Sequence, residues 1–397
     1  MIILMTYAVK RKRKEGIRME LARSRILIIS ASIGTGHTKA AQAIAMQVRR
    51  RYPEAVVETV DFMADGYYLH RLIKESYLKM LHLTPNMYDV LYRWTKSAKR
   101  FSMQGIMARA MKRNMKELLD RHRPDIVICT HPFPCSAVAY LKKTQYPNLV
   151  LTGVITDFAV HQMWIFDEVD LYFIGSADML MAMVAKGVSR KRVAVTGIPV
   201  LPSFSEYDRT EPKAKDGRQL PNVLIMGGGL GMGGVQESLH SLEQIARSLR
   251  IVVIAGRKKK LRRKLEKFCL RSHHSIRIYE YTDRIPELMA NAQLLITKPG
   301  ALTISEALTM ELPMILFDPI PGQEIDNARF LEGKGAAVWV RNGDDIAGEA
   351  FALLTDTERH DAMRARARAL RKPYAAAQIV RYLEEWNTEQ LEQKVDG

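Results

Sequence analysis

Cysteine is scarce: Cys129, Cys135 and Cys269 are the only three in 397 residues, an odd number with no paired metal-ligand spacing. That excludes a disulfide scaffold and a zinc module, and suits a reducing compartment better than an oxidising one. No uninterrupted apolar run approaches the roughly 20 residues that a spanning helix needs. At the start, apolar Met1–Tyr7 precedes the basic run Lys10–Lys14, the reverse of the order in a secretory signal. Acid is the short side of the charge balance, with 43 Asp and Glu against 60 Lys and Arg, a net charge of +17. Such an excess points to an anionic partner: nucleic acid, anionic membrane or a phosphorylated substrate. Nucleic acid is the least supported, because the chain has no stacking-aromatic series and no recognisable binding module. Neither an Asp-x-Asp metal motif nor the Lys-Ser/Thr ending of a P-loop is present, so no metal site and no ATP hydrolysis are expected.

What is present is an alternation of short apolar runs with longer amphipathic segments, the mark of parallel sheets with helical crossovers. The first half reads as strands Arg25–Ala31, Val56–Asp61, Ile126–Thr130, Leu149–Thr156, Leu171–Gly175 and Val193–Thr196. Helices His37–Arg51, Tyr67–Leu83 and Ser97–Arg123 are expected among them. Between Pro199 and Pro221 the chain turns polar with four prolines, a linker composition. The pattern restarts with strand Asn222–Met226 and helix Val235–Leu249, then strands Ile251–Ala255, Ile276–Tyr279, Leu294–Thr297, Met314–Phe317 and Ala336–Val340. The division expected is an extension over 1–24, a first domain over 25–198, the linker 199–221, a second domain over 222–372, and a helix over 373–397 returning toward the first. The class is α/β, with two doubly wound Rossmann-like sheets.

Four turns carry chemistry. Ser32-Ile33-Gly34-Thr35-Gly36-His37 joins a strand to a helix, where Gly34 and Gly36 permit close approach of a ligand and the helix start offers free N–H groups. Asp61 ends the next strand, where a nicotinamide enzyme would place its ribose-binding acid, but the third fingerprint glycine is missing. His37, at a helix N-terminus, should be held neutral by the dipole and able to accept a proton; a plain capping histidine is the alternative. The second turn, Gly227-Gly228-Gly229-Leu230-Gly231-Met232-Gly233-Gly234, has six glycines in eight positions and reads as a backbone nest for phosphate oxygens. In Thr297-Lys298-Pro299-Gly300-Ala301-Leu302-Thr303-Ile304-Ser305-Glu306, the helix head at Thr303 can meet a second phosphate. Glu306 can then take a ribose diol, or the two can form a capping box that needs no ligand. The loop Pro319–Asn327 presents Gln323, Glu324 and Asn327, a mixed set of donors and acceptors suited to sugar hydroxyls; Asp326 as a helix cap is the alternative. Asp157 ends an apolar strand, so it can orient His37 or serve as base itself, with His161 and Trp164 following in a loop; a capping Asp157 and a core Trp164 are the alternatives.

These residues resemble the diacylglycerol glycosyltransferases, namely the monogalactosyldiacylglycerol synthases and the processive diacylglycerol glucosyltransferases. The resemblance runs from about Arg25 to Tyr382 and is carried by Ser32–His37, Ile155–Trp164 (ITDFAVHQMW) and Ile296–Asn327. It implies the GT-B fold, two Rossmann-like domains facing a cleft. It also implies an inverting transfer of glucose or galactose from a UDP-sugar to diacylglycerol, with no cofactor beyond the donor. The donor is then bound in the second domain, with Glu306, Gln323 and Glu324 at donor-contacting positions, and the acceptor in the first, with His37 activating it. The chain departs from the family at Gly227–Gly234, which is richer in glycine. Other two-domain possibilities are a lipid-linked GlcNAc transferase of peptidoglycan synthesis and a UDP-GlcNAc 2-epimerase. Attachment at the cytoplasmic face of the membrane is expected through Trp94–Arg123, whose nine Lys and Arg against two acids are interleaved with methionine and leucine. The run Arg257–Arg271, with nine Lys and Arg and one acid, is a second membrane contact or a solvated helix.

Overall fold

In the computed structural model the described residues are 21–32, 34–64, 103–207, 220–227, 234–256, 259–341 and 345–395. The expected helix 67–83, the part of the basic segment before 103, and Gly228, Gly229 and Gly231 lie outside them.

The first sheet comprises β1 (Arg25–Ser30), β2 (Val56–Asp61), β3 (Ile126–Cys129), β4 (Val150–Val154), β5 (Leu171–Ile174) and β6 (Val193–Val195), in the order β2-β1-β3-β4-β5-β6 with every pair parallel. Its helices are α1 (Gly36–Arg51), α2 (Met103–His122), α3 (Pro132–Thr144) and α4 (Asp178–Ala185). A short turn of helix, α5 (Pro202–Ser205), leads to the second sheet. That sheet comprises β7 (Asn222–Met226), β8 (Arg250–Ile254), β9 (Ser275–Tyr279), β10 (Leu294–Thr297), β11 (Met314–Leu316) and β12 (Ala337–Trp339), in the order β12-β11-β10-β7-β8-β9, again parallel throughout. Its helices are α6 (Val235–Leu242), α7 (Lys259–Cys269), α8 (Ile285–Ala290), α9 (Ala301–Thr309), α10 (Gln323–Gly333), α11 (Ile346–Thr355) and α12 (Thr357–Leu370); α13 (Ala375–Val395) follows.

The central strands IVIC of β3 and LLIT of β10 are buried at every residue, as strands covered on both faces must be. Each sheet has an apolar cluster on either face. On the first, α1 contributes Ala41, Ile44, Ala45 and Val48 to one face, and Ile379, Val380 and Leu383 of α13 join the same cluster. Helix α12 instead packs on the second sheet, where Ala367 is fully buried. The chain therefore crosses back between Leu370 and Ala375. At that crossing a Cβ on Gly197 would meet Lys372 Cβ at 2.3 Å, so the position has no room for a side chain.

Two expectations change. The segment 199–221 does not begin as a free linker: Val200 and Phe204 are 3% and 4% exposed in the core of the second sheet. Nor does α2 offer its apolar stripe to a membrane. Met111, Met115 and Leu119 recur at helical spacing, are at most 1% exposed, and pack with Val127, Cys129 and Leu141. Burying each contributes roughly 1.5–3 kcal/mol, so this part of the stripe, from 111 to 119, stays in the core. What α2 presents outward is charged with a basic excess: Arg109, Arg113, Lys116 and Arg121 are exposed beside Glu117 and Asp120, which pair with Arg113 and Lys116. Among the described residues, no helix is long and apolar enough to cross a membrane.

Both strand orders reverse at an inner pair, β1 and β3 in the first sheet and β7 and β10 in the second. Ligands of open α/β sheets bind outside the carboxyl ends of such pairs.

Candidate active site

The first wall of the cleft grows from the ends of β1, β3 and β4. Gly34 has φ +97°, a backbone conformation that side chains disfavour, and a Cβ there would find open space. Asp61 holds this turn by accepting from Ser32 N–H at 2.9 Å and from Met63 N–H at 3.0 Å. That carboxylate is committed to backbone, which removes the ribose acid of the nicotinamide reading.

His37 follows as the second residue of α1. Its Nδ1 lies 2.9 Å from the Thr130 carbonyl and 2.7 Å from Thr156 Oγ1, while Thr130 Oγ1 donates to the His37 carbonyl at 3.0 Å. A carbonyl can only accept, so Nδ1 carries the proton and Nε2 keeps a lone pair. Burial pushes the ring down to about 4, and the bond to Thr130 opposes it only in part. Burial, more than the helix dipole, keeps this histidine neutral. His131, at the end of β3, packs edge-on against it with ring centroids 4.6 Å apart.

Asp157 does not orient His37. Its Oδ1 lies 3.5 Å from Asn327 Nδ2 of α10, in the seam between the domains. Burial raises it to about 7; the Asn327 bond opposes this, and the Glu324 and Asp326 charges add to it. His161 caps the short turn 162–164 through a bond from Met163 N–H to its Nδ1 at 3.2 Å. Trp164, expected at the acceptor, is instead a core residue. It is 2% exposed and its carbonyl accepts from the Tyr172 hydroxyl.

The second wall grows from β7, β10 and β11. Gly227 is buried at the end of β7. Gly234 opens α6 with φ +71°, and a Cβ there would fall 2.0 Å from the Phe317 ring, so this end of the nest admits only glycine. Helix α9 begins at Ala301 with Gly300 as its cap, two residues earlier than expected. Thr303 is therefore the third residue of the helix, where its N–H is one of the unsatisfied first-turn donors, and the Thr303–Glu306 capping box does not form. Glu306 is 8% exposed, and among the described residues its carboxyl has no hydrogen-bond partner. Burial raises it to about 8, opposed by the charge of Lys39 from α1 on the facing wall.

Gln323 starts α10 after Gly322 (φ +95°). Glu324 Oε2 accepts from Ile320 N–H at 2.8 Å, so one oxygen holds its own loop, and burial lifts the carboxyl to about 7. Asn327 is a strap and not a sugar contact. It is wholly buried, accepts from Phe158 N–H at 2.9 Å, and donates to the Pro299 carbonyl at 3.1 Å. Asp326 lies inside α10 and is not its cap. Phe158 stacks on Phe330 with centroids 4.8 Å apart, and a Cβ on Gly36 would touch Leu302 Cβ at 3.5 Å. The starts of α1 and α9 thus face each other across one cleft.

Motif reading missed Thr130, His131, Thr156, Lys39 and Lys298. Lys298, 8% exposed at the end of β10, pairs with Asp318 at 2.8 Å and places a cation beside Glu324. The available signal was a polar residue closing a wholly apolar strand. Among the described residues one trio, Glu243, His273 and His274, lies within metal-ligand reach. Yet His274 accepts from Leu249 N–H and donates to the Leu242 carbonyl, and His273 Nε2 bonds the Ile245 carbonyl. The trio clamps the connection entering β9, at the opposite edge from the cleft.

Comparison with known proteins agrees with this fold. Residues 222–379 match the glycosyltransferase family 28 C-terminal domain, and residues 37–200 match the monogalactosyldiacylglycerol (MGDG) synthase family. In solved structures the fold is shared with MurG of Acinetobacter baumannii (TM-score 0.61, 16% identity, 91% of this chain and 99% of that one). It is also shared with the UDP-GlcNAc 2-epimerase of Neisseria meningitidis bound to UDP-GlcNAc (TM-score 0.59, 12% identity, 91% of this chain and 99% of that one). The class is therefore a glycosyltransferase of the GT-B fold.

 Sequence relatives narrow the class. The chain is 31% identical over 362 residues to the processive diacylglycerol β-glucosyltransferase of Bacillus cereus strain B4264, covering 90% of this chain and 92% of that one. It is likewise 31% identical over 366 residues to the enzyme of the same name from Bacillus cytotoxicus, covering 91% and 94%. The chain belongs to the diacylglycerol glycosyltransferase family.

Proposed function

We propose that this protein transfers glucose or galactose from a UDP-sugar to the free hydroxyl of diacylglycerol, with inversion at the anomeric carbon, at the cytoplasmic face of the membrane. One observation carries the reading. A neutral imidazole with its Nδ1 pinned stands on the first wall, and a buried carboxyl, Glu306, without a hydrogen-bond partner among the described residues, stands on the second.

In this reading Glu306 takes the ribose diol of the donor, whose two hydroxyls match one carboxylate. The diphosphate lies against the backbone of the 227–234 turn and the first-turn N–H groups of α9, beside Lys298; donors fixed before the reaction stabilise the leaving charge as it develops. His37 Nε2 takes the proton of the acceptor hydroxyl. The oxygen bonds to the anomeric carbon on the face opposite UDP, and the bond to the diphosphate breaks with its electron pair leaving on UDP. The imidazolium formed is stabilised by that departing charge. Asp157 is assigned to the seam and not to proton transfer. Gly34 leaves the open space in front of His37 where the acceptor enters. The basic outer face of α2 meets anionic headgroups by charge alone, without insertion of its stripe.

The test is incubation of purified protein with diacylglycerol vesicles and labelled UDP-glucose or UDP-galactose. Formation of a β-linked glycolipid, read from the anomeric proton coupling, is the expected result. Turnover of UDP-GlcNAc without any acceptor would instead identify an epimerase. His37→Ala should lower transfer by about 10²–10⁴-fold, the usual worth of a general base, with UDP-glucose affinity nearly unchanged. Loss of affinity with transfer preserved would overturn the assignment.

A further inference from the structure

His131 has a buried imidazole that the mechanism above leaves without a task. It closes β3, next to β1 at the point where the strand order reverses, and the residue is 6% exposed. Its Nδ1 accepts from Phe133 N–H at 3.1 Å and so caps α3. A nitrogen that accepts has no proton, so in the neutral ring the proton is on Nε2. Among the described residues nothing bonds that Nε2–H, although the ring packs edge-on against both His37 and Phe133. The two histidines are therefore complementary: His37 offers a lone pair, and its neighbour, with ring centroid 4.6 Å away, offers a proton.

We infer that His131 donates its Nε2–H to an ester carbonyl of the lipid acceptor, adjacent to the hydroxyl that His37 deprotonates. The inference rests on the transfer reading and adds the acceptor's second anchor. Burial and the neighbouring His37 hold His131 well below the usual histidine range, so the donor is uncharged. A neutral donor suits a neutral oxygen; a diphosphate would be met by a cation or by backbone N–H groups. Diacylglycerol supplies such an oxygen, because the carbon bearing its free hydroxyl is joined to one bearing an ester. An acceptor and a donor on adjacent rings match a hydroxyl on one carbon and the carbonyl of the ester borne by the next.

The experiment compares 1,2-diacylglycerol with 1,2-dialkylglycerol, which has the same hydroxyl and no carbonyl. Two variants are used, His131→Ser and His131→Thr, whose hydroxyls keep the cap on α3 and are too short to reach the acceptor. A melting temperature close to wild type identifies which variant to read. Wild type should favour the diester by about 3–10-fold in kcat/KM, the worth of one neutral hydrogen bond. The variant should lose that factor with the diester and almost nothing with the diether, with UDP-glucose affinity unchanged. Equal losses with both acceptors, or a loss of UDP-glucose affinity, would overturn the inference while leaving the transfer reading intact. Absence of glycolipid from wild type with either acceptor would overturn the transfer reading, and this one with it.

Discussion

Glu306 shows how a residue's burial becomes a functional signature. Its carboxyl is held protonated to about 8 because burial strips its charge of water, and the Lys39 charge from the facing wall offsets only part of that cost. To accept two hydrogen bonds from a ribose diol it must be ionised. UDP-glucose affinity should therefore rise with pH, at most about tenfold per unit between roughly pH 6 and 8, and level off above. Glu306→Gln should flatten that profile and lower the plateau by about 10–100-fold, the worth of hydrogen bonds to a charged group. Calorimetric titration at several pH values reads both, and a flat wild-type profile would remove Glu306 from the donor site. Glu306 and His37 were legible in the sequence because each follows a strand-end glycine turn. His131 was not, because a polar residue before Pro132 reads as a cap, and a cap is what its Nδ1 is. Its second nitrogen gains meaning only when β1 and β3 lie side by side. Trp164 erred the other way: a large aromatic beside a motif was filled by the core.

At the scale of elements, α2 separates two kinds of contact that its sequence runs together. Met115→Ala should cost about 2–5 kcal/mol in unfolding free energy, because the side chain is fully buried in the core. Reversing exposed Arg109 and Arg113 to Glu should leave the melting temperature within a degree or two and weaken binding to anionic vesicles at low salt. Flotation measures the latter, and unchanged binding would take the membrane contact away from α2. Strands were the most legible elements, since runs such as IVIC and LLIT admit no other use in a parallel sheet. Helix ends were less so. Helix α6, expected to reach Leu249, stops at Leu242, whose carbonyl accepts from His274 Nε2–H. That partner arrives from 32 residues away, so no local pattern announces it.

The whole molecule holds protons on the buried carboxyls of its cleft, and this gives its stability an unusual pH dependence. Asp157, Glu306 and Glu324 stand at about 7, 8 and 7, far above the acid values of an unfolded chain. The native state then binds more protons than the unfolded one between those limits, so unfolding free energy should grow as pH falls from about 8.5 to 6.5. His37 and His131 act in the opposite sense. Both are neutral when folded, and the unfolded chain takes up their protons below about 6.5, which offsets part of the carboxyls' gain, so stability should grow more slowly there. The ligand-free melting temperature should rise as pH falls from about 8.5 to about 6 and flatten only toward about pH 5, because three carboxyl protons outweigh two histidine protons; a steady rise to pH 8.5 would contradict the charge states assigned to the cleft. The pairing of two doubly wound sheets was legible from the restart of the strand pattern after Pro221. The strap made by Asn327 was not, because its partners Phe158 and Pro299 belong to different sheets. The central claim is that a nucleotide diphosphate lodges on the second sheet, facing a histidine that serves the acceptor. A crystal structure with UDP tests it directly. The account predicts the ribose on Glu306 and the phosphates against the 227–234 turn and the start of α9; density confined to the Gly34 turn, with none at Gly227 or Glu306, would contradict it.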